Sequence, residues 1–128
     1  NMVKAAELFR KAAASGNAEA QCALGSMYQN GMGVSINYLE ATQWHAKAAK
    51  QGYADSQFLL GLSYRDGTGV IKDSLEAYKW LLLASGQGDF EHIEARDSLA
   101  LLLTPDMVAE GRRRADEFTR NKAVASAN

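Results

Sequence analysis

Apolar side chains recur along this chain at the spacing of one face of an α-helix. Ala20, Leu24 and Tyr28 lie four residues apart, and Ala23 and Met27 widen the same stripe. Apolar positions at i, i+3, i+4, i+7 and i+8 predict an amphipathic helix.

A second apolar stripe follows, and it alternates small and large side chains. Ala41, Trp44 and Ala48 occupy this stripe. Small residues let two helices approach closely, while the Trp side chain fills the wedge between them. The two stripes together predict a helical hairpin.

The hairpin pattern repeats with a shift of 36 residues, so that Gly31 recurs as Gly67. The chain opens with the second half of such a unit, and the last copy is degenerate, as is typical of a terminal repeat. An insertion of about three residues after Gly88 keeps the last copy in register, with Ala95 and Leu99 at the positions of Ala20 and Leu24. The identities between the two full copies fall at Gln21, Leu24, Gly25, Tyr28, Gly31, Gly33, Val34, Glu40, Ala41, Trp44, Ala48 and Gly52 of the first copy.

Capping signals set the bounds of the predicted helices. Asn37 and Asp73 each precede a Glu by three residues, and Thr104 precedes Pro105. Both arrangements are typical of helix N-termini. We predict seven helices, over about residues 3–14, 18–30, 38–50, 54–66, 74–86, 91–103 and 105–120, and a frayed tail at 123–128.

These helices predict an all-α fold, a right-handed α-α superhelix of helix-turn-helix repeats. The 128 residues then form a single repeat domain. We divide it into a half repeat at 3–16, full repeats at 17–52 and 53–88, and a degenerate repeat with a capping helix at 89–120.

Composition and charge narrow the possible partners. The 14 Lys and Arg residues balance 15 Asp and Glu residues, which leaves a formal net charge of −1 and no global field toward nucleic acid. No apolar run approaches the ~20 residues of a membrane helix. We therefore expect no nucleic-acid partner, no membrane insertion and no cofactor. One cysteine cannot form an internal disulfide, so cytoplasmic, periplasmic and secreted locations all stay open.

The repeat resembles the Sel-one-like repeat (SLR), a relative of the tetratricopeptide repeat. Residues 20–34 read A-x-x-x-L-G-x-x-Y-x-x-G-x-G-V, and residues 40–52 read E-A-x-x-W-x-x-K-A-A-x-x-G. The resemblance covers about residues 4–103 and implies a non-enzymatic scaffold or adaptor for protein interactions. A cysteine-rich, secreted branch of that family staples each repeat with a disulfide, and this chain departs from that branch because it has only Cys22.

Side chains capable of chemistry are few. Cys22 with Trp44 could belong to a small-ligand or hydrolytic site between helices, which is the alternative function, but no partner His and Asn or Asp is recognisable beside that thiol. His45 is expected to pack, and His92 with nearby carboxylates to form no metal site. The Arg-rich last helix is interleaved with acidic residues, which favours a solvated face.

The first helix of each repeat lines the concave groove in tetratricopeptide-like solenoids, so the resemblance implies that binding residues lie there. Phe58 and Leu62 stand out, because the equivalent positions in the first copy, Cys22 and Ser26, are smaller. Phe58 and Leu62 could equally pack against the helix of the neighbouring repeat. We assign Trp44 to packing. Trp80 is assigned to packing as well. The predicted groove residues are Cys22, Ser26, Gln29, Asp55, Phe58, Leu62, Arg65, Asp97 and Leu101, with Glu19 and Glu94 beside them.

We expect from this pattern a module that binds another protein or peptide, with no catalytic residue. The first helix lacks a preceding neighbour and carries Leu8 and Phe9. Self-association through this N-terminal half repeat is therefore also possible.

Overall fold

The computed structural model describes residues 1–127, and they form an all-α solenoid without any strand. From the first helix to the sixth, each helix packs against the next one along the chain. The helices are α1 (Met2–Ala14), α2 (Ala18–Asn30), α3 (Tyr38–Lys50), α4 (Ala54–Asp66), α5 (Ser74–Ser85), α6 (Phe90–Ala100) and α7 (Pro105–Ala127).

The helix starts keep the 36-residue period from the first helix to the sixth. The residues that cap the first helices of the hairpins are Asn17, Tyr53 and Asp89, and those that cap the second helices are Asn1, Asn37 and Asp73. The expected insertion after Gly88 is therefore wrong, since α6 begins in the register of α2 and α4.

Side-chain oxygens of the capping residues satisfy the free amide groups at most of these starts. The Asn37 side chain accepts a hydrogen bond from the Glu40 amide at 3.0 Å, and the Asp73 side chain accepts one from the Glu76 amide at 3.1 Å. Each such cap stabilises a helix by ~1 kcal/mol. The caps explain why the predicted starts of the central helices are accurate.

In each of the two full hairpins, α2–α3 and α4–α5, a glycine on the first helix faces a large side chain on the second. A Cβ atom at Gly61 would lie 2.9 Å from the Leu81 side chain, and one at Gly25 would lie 2.8 Å from the His45 ring. The missing side chain lets the two helices of the hairpin pack closely. Phe58, Ala77, Tyr78, Leu81, Ala84 and Leu99 form the largest buried cluster, which joins α4, α5 and α6.

The C-terminal end departs from the expected pattern at both of its helices. Helix α6 ends at Ala100, so residues 101–103 lie outside it, and α7 continues to Ala127 where we expected a frayed tail. Asn128 lies outside the described residues. The alanine-rich segment after Lys122 has high helix propensity, which accounts for the extension.

Helix α7 packs against α5 rather than pairing closely with α6. Gly111 lies over Tyr78, and the Phe118 ring meets Trp80 edge-on with ring centroids 5.3 Å apart. Arg114 crosses to α5 and pairs with Glu76 at 3.0 Å. The long helix thereby covers the second helix of the last full repeat.

Candidate functional site

An open groove of about 360 Å³ runs between α4 and α6. Phe58 and Leu62 from α4 form its floor, and Phe90 at the start of α6 stands on its rim. Phe90 is 77% exposed, which is unusual for an aromatic side chain. The remaining lining residues are Arg65, Glu91, Glu94, Ala95 and Ser98.

Phe58 is both a groove residue and a packing residue. It is only 8% exposed and stacks on the His92 ring, with centroids 4.5 Å apart and planes at 25°. The sequence left Phe58 open between a groove role and a packing role, and in the structure it lines the groove while α6 brings His92 against its ring. Leu62 is half-buried and packs against the same cluster.

His92 ties α6 to the preceding helix. Its Nδ1 donates to the Ala84 carbonyl oxygen at 3.3 Å, since a carbonyl can only accept. Gln21 and Gln57 make a similar bond in the earlier repeats, each to a carbonyl eight residues back, although they stand at the register position of Ile93. His92 therefore has a structural role on the underside of the groove.

Asp55, a predicted groove residue, does not line the groove but lies against this histidine. The Asp55 carboxylate lies 3.6 Å from His92 Nε2, and Asp89 lies 3.9 Å from the same atom. Asp55 itself is exposed at the first turn of α4. Asp55 and Phe58, both predicted groove residues, therefore lie against the same imidazole ring, that of His92.

Arg65 closes the other end of the groove but is already engaged. Its guanidinium contacts both carboxylate oxygens of Asp66 at 2.9 Å. The hydrogen bond from Arg65 holds the pKa of Asp66 below its usual value. A ligand carboxylate would have to compete with Asp66 for this arginine.

The other predicted groove residues lie in two different settings. Cys22, Ser26 and Gln29 are half-buried on α2. Asp97 pairs with Arg96 at 2.8 Å, and Leu101 lies beyond the end of α6 and is 87% exposed, so neither lines the groove. The mistaken insertion placed Asp97 there, whereas Leu101 is the equivalent of Arg65 in the unbroken register but lies outside the groove because α6 ends at Ala100.

Sequence reasoning missed four lining residues of α6, although the signal was present. In the unbroken 36-residue register, Asp55 corresponds to Glu91, Phe58 to Glu94, and Leu62 to Ser98. Glu94 was included as a neighbouring position. The missed residues are Phe90, Glu91, Ala95 and Ser98.

The alternative site around Cys22 and Trp44 is not assembled. A hollow of about 510 Å³ lies beside Trp44, between Glu40 and Lys50, and Cys22 does not line it. Burial, together with the nearby Asp55 and Glu19 carboxylates, raises the pKa of the Cys22 thiol. A protonated thiol is a weak nucleophile.

Two further expectations concern ionic chemistry. In residues 1–127, no group of three or more His, Cys, Asp and Glu side chains is arranged to hold a metal ion. On α7, Arg113 pairs with Glu110 at 2.8 Å and with Glu117 at 3.0 Å, so part of its basic charge is neutralised.

None of the helices within residues 1–127 is both long and apolar enough to cross a bilayer.

A larger hollow, of about 790 Å³, lies on the loop side of the solenoid. Leu39 and Tyr64 line it together with the loop residues 69–73, and Ile71 at its edge is 90% exposed. Sequence reasoning did not identify this surface. This surface is a second apolar site, and its residues can serve as controls in binding experiments on the groove.

Comparison with known proteins identifies the repeat. The Sel1 repeat matches the chain in three consecutive segments, at residues 1–17, 18–53 and 54–89. The chain belongs to the Sel1 repeat family. Sel1 repeat proteins are generally non-catalytic scaffolds for protein–protein interactions.

Two solved structures show the same Sel1 architecture. The crystal structure of c5321, a protective antigen present in uropathogenic Escherichia coli strains and displaying an SLR fold, matches 96% of this chain with a TM-score of 0.90 and 33% identity. This chain spans 27% of the c5321 chain. A Sel1 repeat protein from Oxalobacter formigenes matches 70% of this chain and 68% of its own, with a TM-score of 0.69 and 34% identity. A comparison with curated protein sequences found no match.

Proposed function

We propose that this Sel1 repeat chain is a non-catalytic interaction module that binds a segment of another protein in the groove between α4 and α6. The observation that carries the proposal is Phe90, an aromatic side chain exposed beside Leu62 above a floor formed by Phe58. Exposed aromatic and aliphatic groups around a preformed groove are typical of binding hot spots.

The framework around the groove favours binding over chemistry. The floor is fixed by the Phe58–His92 stack and by the buried cluster below it, so little side-chain entropy is lost when a ligand enters. Cys22, Ser26 and Gln29 would extend the same face along α2. Binding then rests on several side chains, and it should weaken stepwise as they are truncated.

The test is a selection of binders from a random peptide display library on the immobilised chain, with single variants measured against the best binder. Phe90→Ala should weaken binding at least ten-fold, about 1.4 kcal/mol, because it removes the exposed anchor. Its thermal midpoint should stay near that of the unmodified chain, since this side chain is largely in solvent.

Ile71→Ala is the matched control, because Ile71 is a large exposed apolar residue on the other hollow. Binding should be unchanged in this variant. A loss with Ile71→Ala and none with Phe90→Ala would move the site to the loop side and contradict the proposal. Phe58→Ala is unsuitable as a test, because it would damage the core.

Self-association through α1 stays a prediction. Leu8 on this helix is exposed, and Phe9 is partly so. If the chain self-associates, sedimentation of the unmodified chain should give a mass that rises with concentration. The Leu8→Ser variant should give a lower mass at the same concentration.

A further inference from the structure

The groove between α4 and α6 has an uneven charge. Glu91 and Glu94 lie along its α6 side, and neither forms an ion pair with a Lys or Arg within residues 1–127. Asp55, which does not line the groove, adds a further exposed carboxylate beside His92. The single cation of the groove, Arg65, is held by Asp66 in a two-pronged contact. The open side of the groove is therefore negative above an apolar floor.

Helix stability explains only part of this charge. Acidic residues in the first turn favour a helix N-terminus, and Asp55 and Glu91 both occupy that turn. Glu94 lies in the second turn, where the helix dipole gains less from it. Glu94 lines the groove together with Ala95 and Ser98.

We propose that the groove receives a partner segment in which one large apolar side chain is flanked by Lys or Arg. This inference rests on the proposed function and names the chemistry of its ligand. The apolar side chain would lie between Phe90 and Leu62, and the flanking cations would pair with Glu91 and Glu94. An acidic segment would face like charges along α6, while Arg65 is already occupied by Asp66.

The composition of the selected peptides tests the inference. Binders recovered from the random library should carry Lys or Arg next to an aromatic or aliphatic residue, and their affinity should fall as salt is raised. The double variant Glu91→Gln/Glu94→Gln should bind the best of them about five-fold less tightly, as expected for two exposed ion pairs.

A control pair changes the net charge equally without touching the groove. Glu7→Gln/Asp116→Asn removes two exposed carboxylates from α1 and α7. This variant should bind with unchanged affinity, so that the effect of the groove pair cannot come from net charge alone.

Each other outcome contradicts one specific claim. Binders without cations, or binders that keep their affinity for the Glu91→Gln/Glu94→Gln protein while losing it for Phe90→Ala, overturn the inference and leave the proposed function intact. A library that yields no binder overturns both. The chain could also form a concentration-dependent dimer that Glu91→Gln/Glu94→Gln disrupts. This result would assign the groove to a second copy of this chain and overturn the inference as well.

Discussion

His45 fills the contact between α2 and α3 that Leu81 fills between α4 and α5. It is 1% exposed, its Nδ1 lies 3.5 Å from the Ser56 hydroxyl, and its Nε2 has no hydrogen-bond partner in the described structure. A buried polar atom without a partner costs about 1–3 kcal/mol. The expected packing role is confirmed, but the repeat uses a polar group where an aliphatic one suffices.

His45→Leu should therefore stabilise the chain. We expect the free energy of unfolding at pH 7 to rise by about 1–2 kcal/mol, because Leu removes the unpaired nitrogen and has a counterpart at the same position in the next repeat. Urea unfolding followed by circular dichroism measures the change. The reciprocal substitution Leu81→His should lower stability. A less stable His45→Leu protein would show that the imidazole contributes more than its shape.

The same histidine predicts a pH dependence of stability. Burial lowers the pKa of His45 from 6.5 to about 4. Between these values the unfolded chain binds a proton that the folded chain excludes, so stability is complete above pH 6.5 and falls as the pH drops toward 4. The loss should reach about 3 kcal/mol. The measurement is urea unfolding at a series of pH values, and the His45→Leu protein should lack this component of the slope.

At the scale of helices, local signals in the sequence account for most of the fold. The starts of α3 and α5 could be predicted because Asn37 and Asp73 cap them directly. The end of α6 was missed, since no glycine pair marks it as Gly31 and Gly67 mark the ends of α2 and α4. Packing of α7 on α5 depends on distant contacts that no local pattern encodes.

The candidate site was partly predictable for the same reason. Leu62 and Arg65 line the groove as expected, because α4 belongs to a full repeat in clear register. The role of Phe58 could not be decided from the sequence, since its burial depends on contact with His92 of α6. The groove residues of α6 were predicted at the wrong positions, because the expected insertion shifted the register. The position of the α6 N-cap excludes that insertion.

Helix α7 packs on α5 of the last full repeat, where Phe118 contacts Trp80. Trp44, the equivalent residue one repeat earlier, is only half-buried. Phe118→Ala should therefore destabilise the chain by about 2 kcal/mol, less than a fully buried Phe would. It should also shift the Trp fluorescence to longer wavelength. Val124→Ala, an exposed change on the same helix, serves as the control. An unchanged spectrum would mean that α7 does not shield Trp80 in solution.

Across the whole molecule, the repeats are held in register by the loops as well as by the helices. Gly69 follows α4, and its backbone lies against the Tyr38 carbonyl at the start of α3, while Thr42 on that helix donates to the Thr68 carbonyl at 3.2 Å. Gly33 lies in the same way against the start of α1. The second glycine of each loop is thus needed for contact with the preceding repeat.

This account predicts that two glycines with the same backbone conformation differ in importance. Gly69 and Gly88 have φ values of 75° and 84°, so Ala incurs a similar conformational cost of about 1–2 kcal/mol at either position. A Cβ atom at Gly88 meets nothing within 4 Å, whereas one at Gly69 collides with the Tyr38 carbonyl. Gly69→Ala should therefore be less stable than Gly88→Ala by a further ~1–3 kcal/mol in urea unfolding, because the neighbouring repeat must shift. Equal losses would mean that the loop moves away without cost, and the repeats would then be held in register by helix packing alone.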